Sequence, residues 1–500
     1  MIPEALILVP LLTGLACLLA KASPRAVRTL AMQGTLATLA LAVLLWLVHM
    51  KWLAIDPLTA RSLLELNLPW IPALGVSLHL APNGLSVLMV LLTALLGVLS
   101  VAVSWRGITQ RVGFFHFNLL LILAGILGVF QAMDLFAFYF FWEVMLVPMY
   151  FLIDVWGHEN RHYAAIKFFL FTQVSGLLML LAILALYFLH GRSSGAYTFD
   201  VARLVDTPLP SPVAFGLLLG FFAAFAVKLP AVPLHTWLAD AHTEAPTAGS
   251  VILAGLMLKT GAYGMLQFLW LLFPLAALDF APAARVLGVV GILYGAMLSF
   301  AQFDLKRLVA YTSVSHMGFV LLGIFTPNEL AWQGAVMQML CHGLGTGGLF
   351  ILVGYLSDRL HTRDMRAMGG LWASCPRMGG AAMFLAMAAL GLPGMGSFVG
   401  EILILIGVFH VSPVLAIVAS GGLVLATVYA LWMMQQVFHG REKVRAADLR
   451  RTELGVLAVL IVLLIYLGVY PKNVFDTFNS TIKHSRTFNS LMQQSQIEDP

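Results

Sequence analysis

The sequence contains few charged residues for its length. Asp, Glu, Lys and Arg make up 10% of its 500 residues, whereas soluble domains average about 25%. Hydrophobic residues make up 60%, and the mean hydropathy is +0.92. Apolar runs long enough to cross about 30 Å of hydrocarbon recur along the whole chain. This composition excludes a soluble globular domain and predicts an all-α, polytopic membrane protein.

Cysteine is also scarce, and motifs for cofactors are missing from the sequence. Cys17, Cys341 and Cys375 are dispersed, so they form neither a metal-ligand spacing nor a disulfide framework. The sequence has no phosphate-binding glycine loop, dinucleotide fingerprint or iron–sulfur cysteine cluster. We therefore predict no cofactor or metal in this chain. Energy for any uphill transport would have to come from a partner.

Hydropathy predicts about 14 membrane spans. The second and third are separated by a polar-interrupted segment, 51–82, in which the alternating sequence V-S-L-H-L predicts a short extramembrane strand or hairpin. The predicted spans are 3–20, 28–49, 84–104, 113–131, 134–153, 165–189, 213–240 (broken), 248–271, 284–302, 307–325, 330–357, 379–411 (broken), 414–438 and 453–470.

The distribution of basic residues predicts an orientation. Connections after odd-numbered spans carry 17 of the 28 Lys and Arg residues, and connections after even-numbered spans carry 5. Because cytoplasmic loops are enriched in Lys and Arg, the odd connections are expected in the cytoplasm. Both termini would then lie outside.

Two helix breaks at corresponding positions suggest an internal repeat. Leu229-Pro230 and Leu392-Pro393 each interrupt the fourth span of a five-span block. Paired interrupted helices indicate the ion site of a transporter, and successive blocks with an odd number of spans insert with opposite topology. The predicted division is N-terminal spans with an outer hairpin, two inverted five-helix repeats, and a C-terminal span with its tail: 1–112, 113–271, 284–438 and 453–500.

Four charged residues lie well inside apolar spans: Glu143, Lys228, Lys259 and Glu401. A charge at the bilayer centre costs about 3 kcal/mol or more, so such residues indicate function. Each also has a structural alternative. Glu143 and Lys228 could form only a structural ion pair, Lys259 could extend to the membrane surface, and Glu401 could serve only backbone donors at its helix break.

Histidines in two neighbouring spans add groups that titrate near neutral pH. His316 and His342 could relay protons or hold water, form structural hydrogen bonds, or ligate a haem. His235 lies on the cytoplasmic side of the first helix break. It could serve proton uptake or simply cap a helix.

Three motifs resemble the antiporter-like membrane subunits of respiratory complex I over roughly residues 75–435. The motifs are F-W-E-V-M-L-V-P-M-Y around Glu143, K-L-P-x-x-P-L-H-T-W-L-x-D-A-H-x-E-A-P from Lys228, and L-P-G-M-G-S-F-V-G-E ending at Glu401. The second is shared with sister subunits, multisubunit sodium/proton antiporters and membrane-bound hydrogenases. Glutamate at 401, where the sister subunits usually have lysine, favours one branch of the family. Asn83 departs from the aspartate common at its position.

The resemblance implies a proton-translocating subunit of NADH:quinone oxidoreductase in a bacterial inner membrane. Its partners would be other membrane-arm subunits, including the sister subunits, and FMN, iron–sulfur clusters and quinone would reside in those partners. A cation/proton antiporter subunit or a membrane-bound hydrogenase subunit is the alternative, and a scaffold whose charges only hold helices together is a third. The implied roles are a coupled pair (Glu143, Lys228), a central carrier (Lys259), a connecting axis (His316, His342) and an exit carboxylate (Glu401).

Overall fold

The computed structural model describes residues 1–20, 23–53 and 55–484 and confirms the predicted all-α membrane class. In this part of the chain, 13 helical segments are long and apolar enough to cross a membrane. The remaining predicted span, 379–411, is divided into Pro376–Ala389 and Gly396–Val411. Lys21 and the tail from 485 onward, which entered the orientation and domain predictions, lie outside the described residues.

The N-terminal part consists of four helices and the predicted hairpin. His79 on the second strand pairs with Asn67 on the first, and Gly75 turns the chain with φ +68°. A side chain at Gly75 would collide with the Tyr197 carbonyl, since a Cβ would lie 2.1 Å from that oxygen. The elements are α1 (Ile2–Leu19), α2 (Pro24–His49), α3 (Pro57–Leu64), β1 (Leu66–Ile71), β2 (Val76–Leu80) and α4 (Gly84–Gly107).

The next part contains the first helix break and a span with irregular turns. Leu253–Met257 and Met265–Leu269 are π-helical, and they join three α-helical pieces into one span, Thr247–Leu272. The elements are α5 (Val112–Val129), α6 (Leu135–Val144), α7 (Leu146–Trp156), α8 (Arg161–Ser194), α9 (Val201–Leu204), α10 (Ser211–Lys228), α11 (Thr236–Glu244), α12 (Thr247–Ile252), α13 (Leu258–Gly264) and α14 (Trp270–Leu272).

The last part contains the second break and a helical start to the tail. Trp46 donates a hydrogen bond to Thr477 Oγ1 at 3.0 Å, which docks the final helix against α2. The elements are α15 (Pro274–Phe300), α16 (Leu305–Ile324), α17 (Glu329–Leu360), α18 (Leu371–Ser374), α19 (Pro376–Ala389), α20 (Gly396–Val411), α21 (Pro413–Val437), α22 (Arg451–Val469) and α23 (Lys472–His484). The four-part domain division stays a prediction.

Close helix packing surrounds the most buried spans, α12–α14, α16 and α17. Small residues let membrane helices approach closely, and two glycine contacts illustrate this. A Cβ on Gly334 of α17 would lie 2.7 Å from the Gly400 carbonyl of α20, and one on Gly318 of α16 would lie 2.6 Å from Ile292 N of α15. Lys259, His316, His342 and Glu401 lie on these closely packed helices.

Candidate functional site

Lys228 ends α10 at the first helix break. Proline supplies no backbone donor, so the helix cannot continue regularly through Pro230, and the Val227 carbonyl instead accepts a hydrogen bond from Trp237 Nε1 at 3.0 Å. The Lys228 side chain is 1% exposed, and its Nζ has no hydrogen-bond partner. Nζ lies 5.4 Å from the ring centroid of Trp142. The ammonium is therefore held in an aromatic pocket.

Glu143 lies at the end of α6, where its carboxylate packs against a glycine on α8. A Cβ on Gly176 would lie only 2.5 Å from Glu143 Oε1, an oxygen with no hydrogen-bond partner. Tyr139 and Gln173 lie beside the same carboxylate. Glu143 and Lys228 are in electrostatic range of each other, but no N···O distance of 4.0 Å or less joins them. The two charges are therefore coupled without a direct salt bridge.

Lys259 lies on α13, between the two π-helical segments, and is fully buried. Its Nζ donates to the Ala254 carbonyl at 2.5 Å and lies 2.6 Å from His342 Nδ1. A buried ammonium with two partners is inconsistent with a side chain that extends to the membrane surface. π-Helical turns are frequent at functional sites, and here Ala254 belongs to one of them.

Tight packing brings α13 to the break in α10. A Cβ on Gly261 would lie 2.5 Å from the Phe225 carbonyl and 3.2 Å from Lys228 Cβ. Lys228 and Lys259 are thus on adjoining helix surfaces, although no polar contact joins their ammonium groups.

His316, His342 and Glu401 form a second contact series across α16, α17 and α20. The rings of His316 and His342 have centroids 5.7 Å apart, and His316 Nδ1 lies 3.2 Å from Glu401 Oε1. Glu401 Oε2 faces the second helix break, where Gly391 has φ +73° and a Cβ would lie 2.3 Å from that oxygen. From Lys259 to Glu401, buried titratable groups follow one another through these contacts.

His235 makes fewer contacts with the other predicted site residues than those residues make with one another. It lies in the turn before α11, is 5% exposed, and packs its ring edge-on against Tyr294 with centroids 5.6 Å apart. Its Nδ1 has no hydrogen-bond partner, and the structure does not bring it into polar contact with Lys228. Its assignment to proton uptake stays a prediction.

Sequence reasoning missed two neutral side chains in the site. Gln338 Nε2 lies 2.9 Å from Glu401 Oε1, and Tyr429 OH lies 3.3 Å from His316 Nε2. Charged and imidazole side chains stand out in an apolar span, whereas a neutral amide or phenol does not. Gln338 precedes His342 by four residues, which places both on one helix face. That spacing could have identified it.

The structure corrects the position of Lys306, which the predicted spans 284–302 and 307–325 place in the cytoplasmic connection between them. It belongs to α16, is 3% exposed and donates a hydrogen bond to the Ala245 carbonyl at the end of α11. Asp304 caps this helix through the backbone of Lys306 and Arg307. The helix therefore begins two residues before the predicted span, and the lysine enters the protein interior.

Within the described ranges, no three His, Cys, Asp or Glu side chains are grouped in a way that could hold a metal ion. The site is instead a series of buried titratable side chains. Such a row of carboxylate, ammonium and imidazole groups can pass protons between neighbours.

The interrupted helices and the buried axis define a class of protein, the antiporter-like membrane subunits. A family model described as NADH:quinone oxidoreductase/Mrp antiporter, TM, matches residues 132–427. The chain is 52% identical over 488 residues to NADH-quinone oxidoreductase subunit M of Escherichia coli (strain K12), across 95% of this chain and 96% of that protein. It is 53% identical, with the same coverage, to subunit M of Pseudomonas aeruginosa. The chain belongs to the NADH-quinone oxidoreductase subunit M family, which confirms the resemblance.

A solved structure agrees with this assignment. A chain of respiratory complex I from Thermus thermophilus with bound NADH superposes with a TM-score of 0.87 at 31% identity, covering 98% of this chain and 99% of that one. With its many apolar helices and bacterial relatives, the chain is a multi-pass inner-membrane protein.

Proposed function

We propose that this chain is a proton-translocating membrane subunit of a bacterial NADH:quinone oxidoreductase. In this role it moves protons from the cytoplasm to the outside through its buried axis, and quinone reduction in other subunits supplies the energy. The observation that carries the proposal is the contact series Lys259, His342, His316 and Glu401, which is buried throughout. Each member can gain or lose a proton, and the series runs from the middle of the fold to the second helix break.

The Glu143 and Lys228 pair is the element that could couple this axis to the energy source. Glu143 Oε1 and Lys228 Nζ each lack a hydrogen-bond partner, and no direct contact between the two side chains fixes the distance between them. A shift of the first helix break, or of the end of α6, would change their mutual stabilisation, because the interaction of two charges in a low-dielectric interior depends steeply on distance. Lys228 adjoins α13, so a change in its charge would be felt by Lys259.

Membership of this family supports the expected partners and the expected location of the cofactors. Other membrane-arm subunits, including sister antiporter-like subunits, would pack against this chain, and FMN, iron–sulfur clusters and quinone would be held by partner subunits. Lys and Arg enrichment in the odd connections supports an orientation with both termini outside the cytoplasm. The inverted five-helix repeats would then give one half-channel to each membrane face.

The test compares the wild-type assembly with Lys228→Ala, purified and reconstituted in liposomes. NADH oxidation and proton uptake are measured together, and assembly is checked by native electrophoresis. We expect Lys228→Ala to lose pumping, alone or with oxidation, in a normally assembled complex. Lys472→Ala, at an exposed position on α23, is the control and should behave as wild type.

Wild-type oxidation and pumping in Lys228→Ala would make this lysine structural. If no NADH activity co-purifies with the chain, a cation/proton antiporter subunit becomes the better assignment, since the matching family model includes such antiporters.

A further inference from the structure

Gln338 occupies the junction between the last histidine and the last carboxylate of the axis. Its side chain is 1% exposed. Nε2 lies 2.9 Å from Glu401 Oε1 and 3.3 Å from His316 Nδ1, while His316 Nδ1 lies 3.2 Å from the same carboxylate oxygen. Three polar atoms thus form a closed triangle in the protein interior. Two belong to groups that titrate, and the third belongs to an amide that does not.

We infer that Gln338 is a positioning residue for proton transfer from His316 to Glu401, and that its amide directs which nitrogen of His316 gives up the proton. The inference rests on the proposed proton-translocating function. In this role a neutral side chain sets the geometry of the last proton transfer inside the protein.

The numbers of hydrogen-bond donors and acceptors on the three side chains support this role. An amide nitrogen has two N–H donors, a carboxylate oxygen only accepts, and an imidazole nitrogen either donates or accepts. When His316 Nδ1 carries a proton, it donates to Glu401 Oε1, and the amide can serve only the carboxylate. When Nδ1 is bare, one N–H of Gln338 can donate to it while the other serves Glu401. The amide can therefore supply a donor to Nδ1 once the new O–H of Glu401 has turned away from that nitrogen.

The transfer step balances within this set of atoms. The N–H bond at His316 Nδ1 breaks and an O–H bond forms at Glu401 Oε1, so an imidazolium and a carboxylate become a neutral imidazole and a neutral carboxylic acid. The other nitrogen, Nε2, faces Tyr429 OH at 3.3 Å and can keep its proton by donating to that oxygen. Gln338 and Tyr429 together favour the product tautomer with Nδ1 bare.

Helix packing fixes the amide in this position. A Cβ on Gly400 would lie 2.8 Å from the backbone nitrogen of Gln338 and 3.0 Å from its Oε1, so only glycine allows α20 to approach α17 this closely. Gly391 confines the carboxylate from the opposite side, beside Oε2. The carboxylate is thus held between the amide of one helix and the backbone of the second break.

The test uses Gln338→Met, which keeps an unbranched side chain of similar size and removes both donors. In the reconstituted complex we expect proton uptake to fall roughly tenfold, the scale of a lost hydrogen bond to a charged group. We also expect the pH dependence of the rate to shift by about one unit. Gln333→Met is the matched control, because Gln333 lies on the same helix and donates to the carboxylate of Glu329 at 2.9 Å, away from the axis. Gln333→Met should change neither the rate of proton uptake nor its pH dependence.

A double variant separates positioning from a structural role. If Gln338 acts through Glu401, then Gln338→Met should add no further loss in a Glu401→Gln background, because residues that act as a unit are not additive. An additive loss, or a wild-type rate and pH profile in Gln338→Met, would overturn the inference. If Gln338→Met fails to assemble, Gln338→Leu decides in the same way, since it also lacks both N–H donors and adds no titratable group.

Lys259→Ala serves as the reference that distinguishes this inference from the proposed function. If Lys259→Ala pumps normally, the proposed function itself is wrong. If Lys259→Ala is inactive while Gln338→Met is fully active with an unchanged pH profile, the function stands and the role of Gln338 is refuted.

Discussion

Lys259 Nζ lies 2.6 Å from His342 Nδ1, and neither side chain is more than 3% exposed. The contact joins α13, with its π-helical neighbours, to α17, the helix that also carries Gln338. Because an ammonium only donates, the imidazole must present a bare Nδ1 to accept the hydrogen bond. A proton that leaves Lys259 therefore has an acceptor already in contact, and the next imidazole, His316, follows along the same series.

Two variants of His342 decide between proton relay and structural hydrogen bonding. His342→Gln and His342→Leu both remove the titratable ring, but the side-chain oxygen of the glutamine can still accept a hydrogen bond from Lys259. If His342 relays protons, both variants should lose about 100-fold or more in NADH-driven proton uptake, the range of a lost acid–base group. Recovery of the wild-type rate by His342→Gln would show that only the hydrogen bond matters. Uptake in liposomes is measured together with assembly.

The packing of Glu143 against Gly176 gives a prediction that leaves every titratable group in place. In Gly176→Ala the new Cβ would lie 2.5 Å from Glu143 Oε1, so the carboxylate must move. We expect slower proton uptake with normal assembly, because the distance between Glu143 and Lys228 changes. Gly216→Ala on α10 is the control, since a Cβ there has no neighbour within 4 Å. Equal rates in the two variants would remove Glu143 from the coupling role.

The hairpin is expected to loosen as the pH rises. His79 lies 2.9 Å from Asp200 and 3.4 Å from Glu65. The hydrogen bond to Asp200 raises the pKa of His79 above 6.5 despite the opposing effect of burial. The stabilisation from protonated His79 is therefore fully present below pH 6.5 and is lost as the pH rises through the raised pKa.

Hydrogen exchange of residues 76–80, corrected for the intrinsic pH dependence of exchange, tests this between about pH 6 and 8. Protection should fall with pH in the wild type. In His79→Gln, which cannot be protonated in this range, protection should stay low and constant. A pH-dependent fall of the same size in the variant would assign the effect to another group.

The sequence was sufficient for features that depend on local pattern. Hydropathy located the spans because each must be apolar over about 20 residues, and the proline positions located both breaks. The alternation of residues 76–80 predicted the hairpin. Lys228, Lys259, Glu143 and Glu401 could be identified as site residues because a charge inside an apolar span costs free energy wherever its partner lies in the chain.

The features that could not be predicted from the sequence depend on contacts between helices that are far apart in the chain. Gln338 and Glu401 are 63 residues apart, and Tyr429 is 113 residues from His316. The four-residue spacing from His342 is a local signal for Gln338, but it does not show that Gln338 contacts Glu401, and no such spacing marks Tyr429. The separation of Glu143 from Lys228 likewise depends on how α6, α8 and α10 pack. Lys306 was misplaced for a simpler reason, since two polar residues at a helix start resemble a loop.

Asp240 provides the contrasting case of a charge whose role we expect to be structural. Its carboxylate lies 2.7 Å from Lys167 Nζ and 2.9 Å from an Arg307 guanidinium nitrogen, and thereby joins α11 to α8 and α16. The Asp240 side chain is 18% exposed, so the cluster lies at the edge of the protein interior. Asp240→Asn would leave two cations without their shared anion. It should reduce the yield and thermal stability of the assembled complex, by about 1–3 kcal/mol for an ion pair of intermediate burial.

Proton uptake per assembled complex should remain unchanged in Asp240→Asn, in contrast to Lys259→Ala. Asp206→Asn, at an exposed position between α9 and α10, is the control for removing one carboxylate and should change neither stability nor uptake. Normal yield with reduced uptake in Asp240→Asn would place Asp240 on a proton path. If Lys259→Ala and Asp240→Asn both lower yield and leave uptake per complex unchanged, the buried charges would be helix-holding elements, and the chain would be a scaffold.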